Sequence, residues 1–271
     1  MDTMKIHIHS PSSESESTNS GLGHNRNSYS SEIDDELYKV DTLPNKFTYL
    51  DLVDDSIIVD LMYKGSDNFL GRPVNGYKNS SNRAILTIQA CNSLRFAQRQ
   101  LKIESEESYP DQNLSLIIHD AYRPVKAVDD FMKWKDEPEN LKIKKKFYPN
   151  FESKNELFST GFIAPGKSTH SRGSTVDVSI VTLHPADPAD HCAADENSQK
   201  YEQLDFGTPV DFFGRPSGTN FYGLTEKQRA NRDLLLKVMD SAGFVNYPME
   251  WWHFTLDGEP FIDKYFEFDL N

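Results

Sequence analysis

The alternation of apolar and polar positions becomes regular only after about residue 45. Before it, residues 10–31 read SPSSESESTNSGLGHNRNSYSS, which is Ser, Asn, Gly and Glu with almost nothing apolar. Such a stretch buries too little surface to offset the entropy of ordering it, so residues 1–36 are expected to be a disordered polar tail. Residues 37–271 are then expected to form a single folded domain.

Within that domain, SIIVDLMY (56–63) reads as a strand and is followed by the turn-rich GSDNFLGRPVNGY (65–77). Residues 84–102 place Ala90, Leu94, Ala97 and Leu101 at helical spacing, which predicts an amphipathic helix with one packed face. LSLIIHD (114–120) is a buried strand ending in AYRP (121–124). Pro124 suits a first helical turn, and Val125, Val128, Phe131 and Met132 follow along one stripe. The charged residues 135–150 read as a surface excursion.

TVDVSIVTL (175–183) alternates and is β-branched, so it is a strand, and residues 184–220, rich in Pro, Asp and Gly, read as a long loop. In TEKQRANRDLLLKVMDSAGF (225–244), Thr225 and Gln228 suggest a capping box. Leu234, Leu235, Val238, Met239 and Ala242 form the buried face of that helix, with Gly243 as its stop signal. EWWHFTL (250–256) is again strand-like. Strands and helices mix without a βαβ rhythm or an internal repeat, which predicts an α+β fold.

Composition narrows the function classes. With 37% hydrophobic and 12% aromatic residues, a core is affordable in size. The net charge of −13 leaves no basic footprint for a phosphate backbone, so nucleic acid is not an expected partner. No apolar run nears the roughly 18 residues of a membrane span, and MDTMKIHIHSPSSESESTNS has no secretory apolar run. No membrane partner and a cytoplasmic location are the expectations. Two cysteines, Cys91 and Cys192, rule out a stapled scaffold, and Cys91 reads as a buried small thiol. His7 and His9 alternate in the loose tail and make a poor metal site.

Candidate chemistry begins at STHSRGSTVD (168–177). His170 and Asp177 would lie on opposite faces of one strand, or roughly 10 Å apart along one helix. They meet at one metal only if the chain turns between them, which Gly173 permits. A third ligand is needed. Outside the tail, the other histidines are His119, His184, His191 and His253, and His253 is the strongest because it belongs to EWWH on a predicted strand. Two histidines and a carboxylate suit a catalytic zinc site, where the ion lowers the pKa of water toward about 7.

Glu250 is the candidate proton acceptor, but three residues before His253 it would fall on the opposite face of a regular strand. A twist, a bulge or the start of a turn is required. Arg123, at the end of a buried strand, is placed to meet a developing oxyanion. Asp120 either orients Arg123 or caps the next helix. Trp251 and Trp252 read as core and pocket wall.

Four motifs occur together: VDLMYKGSDNFLGRPVNGY (59–77), D-x-Y-R-P at Asp120 to Pro124, S-x-H-x-x-G-x-x-x-D at Ser168 to Asp177, and EWWH at Glu250 to His253. In this order they resemble the zinc D-alanyl-D-alanine dipeptidases over roughly residues 49–269. The resemblance implies one zinc per chain on His170, Asp177 and His253, with Glu250 as general base and acid and Arg123 stabilising the tetrahedral intermediate. It implies a central antiparallel sheet with packed helices, the hedgehog and DD-peptidase type of architecture. The implied substrate is a small free dipeptide, D-Ala-D-Ala first, cut to two amino acids.

Asp211, in FGTPVDFFG, matches the family position that holds the substrate amine, and Ser168 and Tyr63 match positions close to the substrate. Residues 183–203, which include His184 and His191, are long for this family and could narrow the cleft. The neighbouring reading is a zinc D,D- or L,D-carboxypeptidase or endopeptidase acting on peptidoglycan stem peptides. A small closed pocket favours dipeptides, and an open groove favours polymers. A non-catalytic binding protein would have lost Glu250 or Arg123, and both are present.

Overall fold

β-Branched alternation in β5 (Thr175–Leu183) sets the layout, because one set of its side chains must be buried against helices. In this computed structural model, which describes residues 32–78, 80–184 and 201–270, β5 lies near the middle of a six-stranded sheet. The order is β2 (Ile58–Val59), β4 (Asn113–Asp120), β5, β8 (His253–Leu256) and β7 (Phe244–Asn246). β6 (Tyr201–Gln203) also pairs with β5, beyond the stretch that β8 occupies. Every pairing in the sheet is antiparallel except β2 with β4, which departs from an all-antiparallel expectation.

Val176, Val178 and Ile180 pack with Leu114, Leu116 and Ile118 of β4 and with Phe254 and Leu256 of β8 in the main core. Over them lie α3 (Ile88–Ser108), through Ala90, Leu94 and Leu101, and α7 (Glu226–Ser241), through Leu235, Val238 and Met239. α7 begins at Thr225, whose hydroxyl accepts the Gln228 amide at 3.3 Å while the Gln228 side chain accepts the Thr225 amide at 3.0 Å. Gly243 ends it at φ +84°, as its position in the sequence suggests. Cys91 is buried in this core, which pushes its thiol pKa up.

A second, largely aromatic cluster includes Phe47, Tyr63, Phe69, Tyr77, Tyr122 and Phe131. It gathers around α4 (Val125–Trp134) and the end of β4. Near it lie α1 (Glu32–Leu37), α2 (Leu50–Val53) and a small sheet of β1 (Phe47–Tyr49) and β3 (Ile85–Thr87). The segment after residue 260 closes over the cluster, with the Phe268 ring stacked 3.9 Å from Tyr122 and the Phe266 amide bonded to the Ser171 carbonyl.

Several expectations shift. The strand expected over 56–63 shrinks to two residues, and Asn82 occupies backbone groups at its end. Its side chain binds the Val59 carbonyl at 2.8 Å and the Leu61 amide at 3.2 Å, and the chain then turns at Met62–Lys64. The helix expected over 84–102 starts at Ile88, since residues 85–87 pair with β1 and Thr87 caps the helix. The charged excursion carries α5 (Leu141–Phe147) and ends in buried Phe147 and Tyr148. It leads to α6 (Lys154–Ser159), where Lys154 reaches back to the carbonyls of Trp134 and Glu137.

Residues 201–220 are more ordered than a loop reading implies. Arg232 is buried and donates to the carbonyls of Phe206, Pro216 and Gly218, gathering the segment onto α7. Of the disordered tail expected over residues 1–36, residues 32–36 instead lie in the helix α1, while residues 1–31, Cys192 and His191 lie outside the described residues. Among the described residues no helix is long and apolar enough to cross a membrane.

Candidate metal centre

Strand register brings the first two candidate ligands together. Asp177 of β5 sits directly opposite His253 of β8. Alternation turns both away from the core residues Val176, Val178, Phe254 and Leu256, onto the other face of the sheet. His170 arrives from a 3₁₀ turn, Thr169–Arg172, in which the His170 amide donates to the Ser168 hydroxyl. Gly173 ends that turn at φ +84°, and a Cβ there would stand 2.2 Å from the Phe47 ring. Only glycine satisfies both the backbone angle and the space, so the reversal between His170 and Asp177 rests on it.

A β-bulge delivers the neighbouring acid. β4 and β5 pair in step up to Ile118 and Val178, and then Asp120 opposes Asp177, leaving His119 as the extra residue. Without the bulge, Asp120 would follow Ile118 into the main core; with it, Asp120 faces the site. Its carboxylate accepts from Arg123 Nε at 2.8 Å and from the Tyr77 hydroxyl at 2.6 Å. α4 starts at Pro124 with no side-chain cap, so of the two roles open to Asp120, orienting Arg123 is the one present.

The donor atoms converge. His170 Nε2 is 3.4 Å from His253 Nδ1 and 3.4 Å from Asp177 Oδ2, and His253 Nδ1 is 3.1 Å from Asp177 Oδ1. Tetrahedral zinc with bonds of about 2.0–2.1 Å would space its donors roughly 3.3 Å apart, which these separations match. His170 Nδ1 lies 2.9 Å from the Ala121 carbonyl, so that nitrogen carries the proton and Nε2 presents its lone pair to the other donors. His170 and Asp177 are buried and His253 is partly exposed, giving one approach from the cleft. Among the described residues this is the one such group of His, Cys, Asp and Glu. His119 instead meets Ser179 Oγ at 2.8 Å, with burial pushing its pKa down to about 4, and His184 is exposed.

The adjoining cleft has a volume of about 230 Å³ and is walled by Phe69, Phe131, Phe162 and Phe213, among others. Arg123, Ser168, Asp211, Tyr63 and Glu250 also line it. Trp251 and Trp252 do not; both are core residues, and Trp251 stacks on Phe206 at 4.2 Å.

Glu250 does not lie on a strand. EWWHFTL divides between the turn that connects β7 to β8 and β8 itself, which begins at His253. The Glu250 amide bonds the Tyr247 carbonyl at 2.9 Å, and the His253 amide bonds the Glu250 carbonyl at 3.2 Å. This turn removes the opposite-face problem, and Glu250 Oε2 comes 3.7 Å from His253 Nδ1. Oε1 is buried without a protein partner. Burial, and then the charges of Asp177 and Asp211, push the Glu250 pKa well up.

Asp211 is held at φ +61°, an unusual angle for a residue with a side chain, and accepts the Tyr63 hydroxyl at 2.8 Å. Burial, and then the charge of Asp177, raise its pKa to about 7. Burial alone would raise Asp177 too, but the adjacent His170 and His253 outweigh it and hold the carboxyl well below its usual range. Ser168 faces the cleft while its hydroxyl caps the His170 turn, and Arg123 Nη1 stands 3.5 Å from it.

Sequence reasoning missed Tyr77, which fixes Asp120, and Tyr247, which lines the cleft and whose ring centroid is 5.8 Å from that of His253. Neither carries a spacing signal, since one tyrosine in a turn-rich segment resembles any other.

Asp120, Asp177, Asp211 and Glu250 confront a single guanidinium in this buried region, an excess of acid that a bound cation would offset. A two-histidine, one-carboxylate donor set leaves coordination positions for water or substrate, which separates catalytic from structural centres. The chain therefore falls in the class of metal-dependent hydrolases.

The sequence pattern of peptidase family M15, described as D-ala-D-ala dipeptidase, matches residues 44–271. A D-alanyl-D-alanine dipeptidase of Enterococcus faecalis is 36% identical over 84% of this chain and 100% of its own length. Those of Enterococcus faecium and Streptomyces coelicolor are each 33% identical over 83% of this chain and 98% of their own. The chain belongs to the M15 family and is a metallopeptidase.

Proposed function

We propose that the protein hydrolyses the free dipeptide D-Ala-D-Ala to two D-alanines, with one zinc ion on His170, Asp177 and His253. The observation that carries this reading is the sharing of one 230 Å³ cleft by those three residues, Glu250, Arg123 and Asp211. Zinc, when bound there, lowers the pKa of water and polarises a carbonyl. Glu250, beside the ligand set at 3.7 Å from His253 Nδ1, takes the proton from the attacking water as a carboxylate and hands it to the leaving amine as the C–N bond breaks. Arg123 meets the oxygen that becomes negative as the carbonyl carbon turns tetrahedral. Asp120, bonded to both Arg123 and Tyr77, keeps its guanidinium aimed.

Asp211 binds the substrate ammonium, and the Tyr63 hydroxyl fixes the carboxylate for that task. Ser168 lies close enough to the cleft to receive the other end of the dipeptide. The D-alanyl-D-alanine dipeptidases among its relatives, a small cleft and a carboxylate suited to a free amine all support a dipeptide over a polymer. The sheet with its helices is the α+β arrangement of zinc DD-peptidases that the motifs imply.

The deciding experiment follows D-alanine release from D-Ala-D-Ala by zinc-loaded protein, beside N-acetyl-D-Ala-D-Ala, L-Ala-L-Ala and a muramyl pentapeptide, with a chelated control. Chelator-sensitive release from the free D,D-dipeptide is expected. Release from the pentapeptide alone would replace the proposal with a stem-peptide carboxypeptidase.

A further inference from the structure

The cleft has a larger neighbour. A groove of about 770 Å³ runs alongside it, lined by Phe151, Thr160, Phe221, Tyr222, Pro248 and Met249. Phe162 lines both spaces. The same two chain segments face each space in turn: Gly161 and Tyr247 line the cleft, while Thr160, Pro248 and Met249 line the groove. The wall between them is therefore made where these segments meet, and they meet at one hydrogen bond, from the Tyr247 hydroxyl to the Gly161 carbonyl at 3.1 Å. The Tyr247 hydroxyl also lies 3.2 Å from Met249 Sδ, so the same hydroxyl touches a residue that lines the groove.

Both partners are fixed from behind. The Tyr247 amide bonds the His253 carbonyl at 2.9 Å and its carbonyl takes the Glu250 amide, so the ring projects from the turn that carries the proposed base. Gly161 sits at φ +89°, and a Cβ there would come 3.2 Å from the Tyr247 hydroxyl. The seam thus has a small residue on one side and, on the other, an aromatic ring whose backbone is held in the turn.

We infer that the Tyr247–Gly161 contact is the partition that sets substrate length, and that Tyr247 is a specificity-determining residue that keeps peptides longer than two residues out of the cleft. Breaking the partition joins the cleft to the groove and makes room for a third residue against Phe221 and Tyr222. This inference rests on the dipeptidase reading above.

The test compares kcat/KM for D-Ala-D-Ala and for tri-D-alanine in the zinc-loaded parent, Tyr247→Ala and Tyr247→Phe. Tri-D-alanine carries its extra residue at either end, so the result does not depend on which end enters the groove. Tyr247→Ala is expected to raise the tripeptide-to-dipeptide ratio about tenfold, mainly through a lower KM for the tripeptide. Tyr247→Phe keeps the ring and loses only the hydrogen bond, so a smaller rise, about threefold, is expected. It also decides the matter if the alanine variant does not fold.

A ratio unmoved in a folded variant overturns the partition, as does a parent that already cuts both peptides equally. A parent that leaves D-Ala-D-Ala intact overturns the dipeptidase reading instead. The partition is then judged by the same length ratio on the di- and tripeptides that the parent does cut.

Discussion

At the scale of the residue, burial makes acids in this cleft unlike acids elsewhere. Glu250 is pushed well up in pKa and one of its oxygens has no protein partner, the state suited to passing a proton back and forth. Glu250→Gln should keep bound zinc while kcat falls by about 10²–10⁴, the usual size of a lost acid–base group. Unchanged kcat at full metal content would remove Glu250 from the mechanism. Asp211 carries a cost in the absence of metal. Its folded pKa of about 7 lies above the unfolded value, so the folded state loses stability as pH climbs from about 4 to 7 and the full loss is present above that. Chelated Asp211→Asn should therefore melt higher than the chelated parent at pH 8, with the gap closing near pH 4. The same variant should lose the parent's preference for a free over an N-acetylated dipeptide. A melting difference independent of pH would show that the carboxylate charge is not the cause.

At the scale of the element, legibility followed period. β4 and β5 were readable because their β-branched and apolar residues alternate or run together, and α7 because its stripe is bracketed by a capping box and a glycine. His170, Asp177 and His253 were readable as a set because their motifs sit at or beside such elements. The bulge that turns Asp120 toward Asp177 was not, since it depends on how β4 pairs with β5 rather than on either strand alone. The turn holding Glu250 was one of three devices that its offset from His253 demanded, and pairing of β7 with β8 selects it. The two-residue β2 was hidden as well, and Asn82, which occupies backbone groups at its end, is distant in sequence. Thr225→Ala should cost about 1 kcal/mol, or roughly 2–4 °C in Tm, with kcat/KM unchanged, because the cap lies at the far end of a helix that only supports the sheet. A loss of activity larger than the loss of folded protein would mean that α7 reaches the cleft.

At the scale of the whole molecule, the sheet keeps its two faces for different tasks. One is packed by α3 and α7 into an apolar core, and the other collects the charged groups that this core could not accept. Zinc bound to the native chain alone should raise Tm by about 5–10 °C at a free concentration a hundredfold above Kd. His170→Ala should show no such response, and equal melting of zinc-loaded and chelated parent would deny the site a resident metal.

The walled cleft also bears on inhibition. A space of about 230 Å³ admits roughly a dozen non-hydrogen atoms, so a compound confined to it must draw its affinity from a few charged contacts and the metal. A compound that carries an aromatic tail and displaces the Tyr247 ring would gain the 770 Å³ groove beyond, and with it surface that a dipeptide never touches. Resistance to such a compound could then arise by substitution in the groove without loss of turnover, whereas resistance to the smaller kind would have to alter the cleft itself.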